Sequence, residues 1–221
     1  MTLTIHQVEH LIWLGLVDKF SKADWVILAD DFQFKKNYFE NRNRIRTKDG
    51  EQWITIPVEK DNHKPMKDIH ISTDSNWRKK YLEPIKHNYS KSPYFNTYYP
   101  AIEKVIYRDY TKLIDYNYDL IDLFKDWFNL KSFFYCSSYL KIDQKLKSTE
   151  RLVAICKHMG ADTYLSGSSG MNYLDLSLFE KNNIKVVFHE FEHPIYKQQF
   201  EPFIPGMSAL DCLFNCGGPV A

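Results

Sequence analysis

The chain has no long apolar run. Its longest, Leu11-Ile12-Trp13-Leu14-Gly15-Leu16-Val17, is far short of the roughly 20 residues a membrane-spanning helix needs. No basic stretch precedes an apolar one at the start, so no secretory signal is expected. Charge is nearly balanced, 29 basic against 28 acidic residues, so no global field favours nucleic acid or an anionic membrane. The four cysteines, Cys136, Cys156, Cys212 and Cys216, make no C-x-x-C pair and no disulfide framework. They read as buried thiols of a reducing compartment, and a cytoplasmic location is expected. Neither a Walker loop nor G-x-G-x-x-G occurs, and there is no internal repeat or low-complexity linker.

What is present is enough apolar material for a core. With 221 residues, 44% of them hydrophobic, one α/β domain spanning 1–221 is expected. Aromatics are plentiful, 15 Tyr, 15 Phe and 5 Trp, which suits a thick core or a pocket lined with rings.

Leu3-Thr4-Ile5 reads as a short buried strand followed by His6-Gln7. Val8, Leu11, Ile12, Leu16 and Phe20 recur on a helical period, predicting a helix over 8–22. Trp25 to Ala29 is an unbroken apolar run, a strand covered on both faces, ending at Asp30-Asp31. Strand, helix and strand in this order make a βαβ unit, hence a Rossmann-like, mainly parallel sheet. Ligands of such sheets bind beyond the carboxyl ends of the strands. His6, Gln7, Asp30 and Asp31 are therefore expected in one crevice.

The stretch from Gln33 to Arg46 alternates cations with amides and aromatics and reads as a polar loop with little to offer a core. A turn at Lys48-Asp49-Gly50 and a strand over 52–58 follow. Residues 74–129 carry helical periodicity in three segments and form a helical insertion. Strands are expected over 131–139, 163–165 and 184–188, and helices over 150–158, 173–181 and 208–214.

Candidate chemistry follows from these placements. His6, Glu9 and His10 spell H-x-x-E-H, which matches a metalloprotease pattern if both histidines share one helical face. Because His6 directly follows a strand, zinc is not expected, and His10 is more simply a first-turn helix residue. His189-Glu190-Phe191-Glu192-His193 is a second cluster at a strand end, a metal site or merely an exposed end. Asp30 and Asp31 suit a divalent cation or a general base, or simply cap a turn. Lys35, Arg42, Arg44 and Arg46 offer donors matched to phosphate, or a solvated face. Asn41 and Gln33 stand among them. Ser166-Gly167-Ser168-Ser169-Gly170, between a strand and a helix, can present backbone N–H groups to an anion or serve as a plain turn.

Taken together these segments resemble the WbqC-like family of bacterial proteins. The resemblance is carried by Ile5-His6-Gln7 with Trp13-Leu14-Gly15 and Lys19, by Asp30-Asp31-Phe32-Gln33-Phe34, by Asn41-Arg42-Asn43-Arg44-Ile45, and by Trp53-Ile54-Thr55-Ile56-Pro57-Val58. Later come Ser148-Thr149-Glu150-Arg151-Leu152, Gly160-Ala161, Tyr164-Leu165-Ser166-Gly167, Gly170 and Tyr173-Leu174. Tyr196, Gln198, Phe203, Ser208, Asp211 and Asn215 complete it. The family's first block usually reads I-H-Q-P-x-Y-x-P-W, and Val8, His10 and Ile12 here replace two prolines and a tyrosine. The H-x-x-E-H spelling arises from that departure.

The resemblance implies a setting among bacterial cell-surface polysaccharide genes, including O-antigen clusters. The expected activity is transfer of a small acyl or aminoacyl group, glycyl being one candidate, to the amine of a nucleotide-linked sugar. His6, Asp30 or Asp31 would take the amine proton. Gln7, Gln33, Lys35, Asn41, Arg42 and Arg44 would bind substrate with Ser166, Gly167, Gly170 and Tyr173. Three alternatives stay open: an ATP- or nucleotide-dependent ligase or nucleotidyltransferase-like enzyme, a zinc hydrolase at His6, Glu9 and His10, and a non-catalytic nucleotide-sugar-binding protein. No cofactor is specified; ATP with magnesium enters only with the ligase. The expected partner is a small molecule, not nucleic acid or membrane, and exposed aromatics allow a homodimer.

Overall fold

A computed structural model describes residues 1–59, 63–72, 74 and 76–219. In chain order its strands are β1 (Thr2–His6), β2 (Trp25–Leu28), β3 (Arg42–Thr47), β4 (Gly50–Thr55), β5 (Phe133–Cys136), β6 (Thr163–Ser166) and β7 (Lys185–Phe188). Its helices are α1 (Leu14–Ser21), α2 (Trp77–Tyr89), α3 (Phe95–Ile106), α4 (Leu113–Trp127), α5 (Ser148–Met159), α6 (Leu176–Glu180) and α7 (Ala209–Cys216). The fold is α/β and Rossmann-like. The residues cluster into two units: Met1–Gln7, Asp18–Asp31 and Leu130–Glu192 form one, Val8–Val17, Phe32–Asn129 and His193–Ala221 the other.

The first unit is a five-stranded sheet in the order β5-β2-β1-β6-β7, with every neighbouring pair parallel. Central strands are apolar and β-branched because both faces are covered: Leu3, Val26 and Ile27 are fully buried. At the edge, β5 leaves Phe133 and Tyr135 exposed. Numbered along the sheet's own strands, the order is 3-2-1-4-5. The chain first winds outward from β1 through β2 to β5, then returns to the other side of β1 with β6. That reversal places a topological switch point between β1 and β6, where doubly wound sheets open a crevice at the carboxyl ends. Helix α5 ends at Gly160, whose φ of 70° gives the left-handed cap that lets the chain turn into β6.

The second unit holds the antiparallel hairpin β3–β4 and helices α2, α3, α4 and α7. The three expected helices of the insertion are all present. Aromatic rings interlock within them and with α7, Trp77 of α2 against Tyr116 of α4 and Phe95 of α3 against Phe214 of α7.

Two expectations are corrected. Residues 8–12 are not helical, and the helix begins only at Leu14. The segment is held instead by side chains: Asn43 Nδ2 donates to the carbonyls of His10 and Leu11, and Leu11 adopts a φ of 47° incompatible with a right-handed helix. Apolar spacing that looks helical here reflects burial of an irregular segment. The stretch ending at Arg46 is likewise no solvated loop. Arg42–Thr47 is a strand, and Glu40, Asn41, Asn43 and Arg46 are all buried.

Candidate functional site

The carboxyl ends of the parallel strands carry the polar residues of the first unit. β1 ends at His6, followed by Gln7, both half-buried. β6 runs into Ser166-Gly167, and β7 into His189. The register pairs Leu3 with Tyr164 and Ser166 with Phe188. Continued three residues beyond Leu3 and Tyr164, and one beyond Ser166 and Phe188, it sets His6, Gly167 and His189 in one row across the switch point. In a parallel ladder, residues in one row project to the same face. Between the two imidazoles stands a residue with no side chain, and a Cβ built on Gly167 would meet nothing within 4 Å. The crevice is open at that point.

Helix α1 secures both rings from consecutive residues. Lys19 Nζ lies 3.5 Å from His6 Nδ1, and Asp18 Oδ2 lies 2.6 Å from His189 Nε2. Asp18 is itself held by Lys22 at 2.6 Å. Its partial burial raises its carboxyl pKa, but hydrogen bonds from Lys22 and His189 outweigh that and leave it below the usual range.

The 166–170 loop forms a tight single turn. Gly170 N donates to Gly167 O at 2.9 Å, and Tyr173 N and Leu174 N both donate to Gly170 O. A side chain at Gly170 has no room: its Cβ would fall 2.1 Å from Ser166 Oγ. Ser166 is buried, while Ser168, Ser169 and Tyr173 are exposed.

Asp30 and Asp31 lie past β2, and the structure commits both carboxylates to packing. Asp30 accepts from Ser138 N (2.9 Å), Ser138 Oγ (2.5 Å) and Ser137 Oγ (3.1 Å). Asp31 accepts from Ser137 Oγ at 2.5 Å and from Arg151 at 2.6 Å, with both partners of that ion pair largely buried. These bonds tie the loop after β5 and helix α5 to the end of β2. Ser137, Ser138 and Arg151 supply the donors; Arg151 belonged to the resemblance, whereas the serines carried no sequence signal.

In the second unit, His10 is completely buried, with one ring nitrogen 2.8 Å from Asn117 Oδ1 and the other 2.6 Å from the Tyr81 hydroxyl. Burial lowers its pKa from 6.5 to about 4, only partly offset by Asn117. Both nitrogens are engaged and no helix spans 6–10, so H-x-x-E-H here is not a zinc motif. No group of three or more His, Cys, Asp or Glu among the described residues could hold a metal ion.

The arginines divide. Arg46 is fully buried, donating to the carbonyls of Thr47, Gly50 and Pro202. Arg44 pairs with Glu51 at 2.9 Å and donates to Gly206 O at 3.0 Å. The guanidinium of Arg42 lies over the Trp53 ring at 4.1 Å, and its Nε has no hydrogen-bond partner among the described residues. Asn41 is buried with its amide donating to Ile56 O, whereas Gln33 and Lys35 are exposed. Beside them Glu40 is almost fully buried, and neither carboxylate oxygen has a hydrogen-bond partner among the described residues. Burial, reinforced by the charge of Glu9, raises its pKa from 4.5 to about 7.

The late residues of the resemblance converge on buried Asp211. Its carboxylate receives the hydroxyls of Tyr89 (2.8 Å) and Tyr196 (2.7 Å) and the amide of Gln198 (2.8 Å), while Asn215 donates to its backbone carbonyl. Burial raises the carboxyl's pKa against these stabilising bonds.

A doubly wound parallel sheet whose switch point is flanked by His6 and His189 defines an α/β protein of Rossmann-like fold. The chain belongs to the WbqC-like protein family, which matches residues 7–219. It is 31% identical over 218 residues to the uncharacterized protein Rv1507c of Mycobacterium tuberculosis (strain ATCC 25618 / H37Rv), covering 96% of this chain and 93% of the relative. No solved structure matches it.

Proposed function

We propose that the chain is a transferase of bacterial cell-surface polysaccharide or related secondary metabolism. It binds a nucleotide-linked amino sugar at the crevice between β1 and β6 and places a small acyl or aminoacyl group, glycyl being one candidate, on the sugar's amine. The observation that carries this reading is the row His6, Gly167 and His189 across the switch point, open above the glycine. Protonatable groups on both sides of an unfilled gap suit a reaction that must move a proton. Backbone N–H groups of the 166–170 turn suit phosphate oxygens. In its own unit, Arg42, stacked on Trp53, is the guanidinium best placed in its hairpin to pair with a phosphate.

One observation favours a second reading, a non-catalytic nucleotide-sugar-binding protein: the hydrogen bonds that occupy Asp30 and Asp31. Thermal stability with uridine-diphosphate glucosamine, acetyl-coenzyme A, glycine and ATP separates the two. The transferase reading expects a saturable upward shift with the sugar nucleotide. It also expects a new amide product by mass spectrometry when an acyl donor is added. Gly167→Leu fills open space at an ordinary backbone angle, so it should keep the fold and abolish the shift. A shift without product under any donor would leave binding alone. Absence of any shift would sink both readings.

A further inference from the structure

The crevice contains two histidines, and their surroundings give them different tasks. His189 is held on several sides. Its backbone N–H donates to Ser166 O at 2.8 Å, its ring stacks near Phe191, and its Nε2 meets Asp18 Oδ2 at 2.6 Å. Asp18 in turn is fixed by Lys22. A carboxylate accepts but cannot donate, so Asp18 selects the imidazole tautomer with hydrogen on Nε2 and leaves the Nδ1 lone pair as acceptor. The same logic orients the base in hydrolytic triads, where the carboxylate positions the ring and stabilises the imidazolium. His6 meets a cation: its Nδ1 lies 3.5 Å from the Lys19 ammonium.

Location completes the argument. His6 and His189 stand two strands apart, about 10 Å at the usual spacing, with Gly167 in the row between them. A sugar amine seated over Gly167 lies between the two rings.

We propose that His189, positioned by Asp18, is the proton-accepting residue of this crevice and that its substrate is a primary amine attacking an activated acyl carbon. This deepens the transferase reading and rests on it. The acyl donor is a thioester or acyl phosphate. The amine nitrogen bonds to the carbonyl carbon and the bond from that carbon to the leaving group breaks. The nitrogen's surplus proton passes to Nδ1 of His189, which becomes imidazolium and then protonates the leaving group. The products are one amide and one thiol or phosphate, and His189 returns to its starting state. Asp18 is a positioning residue, since it acts only through the ring.

Long-range nitrogen–proton NMR of the histidines tests this in the whole chain, alone and with uridine-diphosphate glucosamine. Neutral His189 should show the Nε2–H tautomer, Asp18→Asn should erase that preference, and the sugar nucleotide should shift the Nδ1 resonance. His189→Gln should bind the probe within about threefold of the wild type yet lose at least a hundredfold in amide formation, in the range general bases contribute. Asp18→Asn should lose less and displace the pH profile. A shift in melting temperature with no change at His189 Nδ1, or full activity in His189→Gln, overturns the assignment and leaves the crevice reading standing. Failure of the sugar nucleotide to bind at all, with His189 still in the Nε2–H tautomer, would instead remove the crevice reading and this substrate class with it.

Discussion

Glu40 makes a pH-dependent cost measurable. Its carboxyl is buried next to the charge of Glu9, and its pKa rises from 4.5 to about 7. The folded state therefore holds a proton there that the unfolded chain releases. Between pH 4.5 and 7 the folded state binds more protons, so this group's contribution to stability falls as pH rises through that window and levels off above it. The rise corresponds to about 3 kcal/mol at pH 8. Glu40→Gln removes the titration but introduces an amide with burial costs of its own, so the absolute stability of the variant decides little. The difference between variant and wild type decides. Measured by urea denaturation from pH 4.5 to 8.5, that difference should move by about 3 kcal/mol in favour of the variant as pH rises. For a chain of this size that corresponds to roughly 6–12 °C in melting temperature. Glu9→Gln should pull the midpoint downward, because it removes the like charge. A difference flat across the window would refute the account of Glu40 as a carboxyl whose pKa burial has raised.

Three further outcomes follow from the same geometry. His10, buried with a pKa lowered to about 4, should stay neutral at pH 5.5 by NMR; its contribution holds above pH 6.5 and is lost as pH falls toward 4, and a titration midpoint near 6.5 would contradict the Asn117–Tyr81 network. Asp31→Ala leaves the Arg151 guanidinium largely buried without its carboxylate and should cost about 3–5 kcal/mol in urea denaturation, with a loss below 1 kcal/mol showing the pair to be dispensable. Gly170→Ala drives a Cβ into buried Ser166 Oγ and should cost about 1–3 kcal/mol, and adding Ser166→Ala should recover most of it; no recovery would mean that the clash lies elsewhere.

Much of this architecture was legible in residue order. Parallel strands buried on both faces must be apolar runs, and the stretches at 3–5, 25–29, 163–165 and 184–188 became β1, β2, β6 and β7 within a residue or two at most ends. The insertion's helices were visible because amphipathic spacing over three or four turns has no close competitor. Two segments misled for opposite reasons. Val8 to Ile12 carries helical spacing, yet Asn43, distant in sequence, takes the carbonyls of His10 and Leu11 and fixes a conformation local propensity does not favour. Arg42 to Arg46 looked solvated because charges and amides rarely enter a core. Here Arg46 is answered by backbone carbonyls and Asn43 by two more.

The candidate site divides in the same way. Residue type and strand ends pointed to His6, Gln7 and the 166–170 loop. By itself the sequence determined the class of fold, its helical insertion, its family and the chemistry available at the strand ends, because periodicity and composition are local properties. Only the tertiary structure decided which of those residues share a row, that Asp30 and Asp31 spend their oxygens on Ser137, Ser138 and Arg151, and that Asp18 on α1 reaches His189 beyond the edge strand β7. Those facts depend on strand order and register, which bring together residues more than 100 positions apart. No local pattern encodes which distant partner will satisfy a buried donor or acceptor; the packed chain settles it by leaving few of them unanswered.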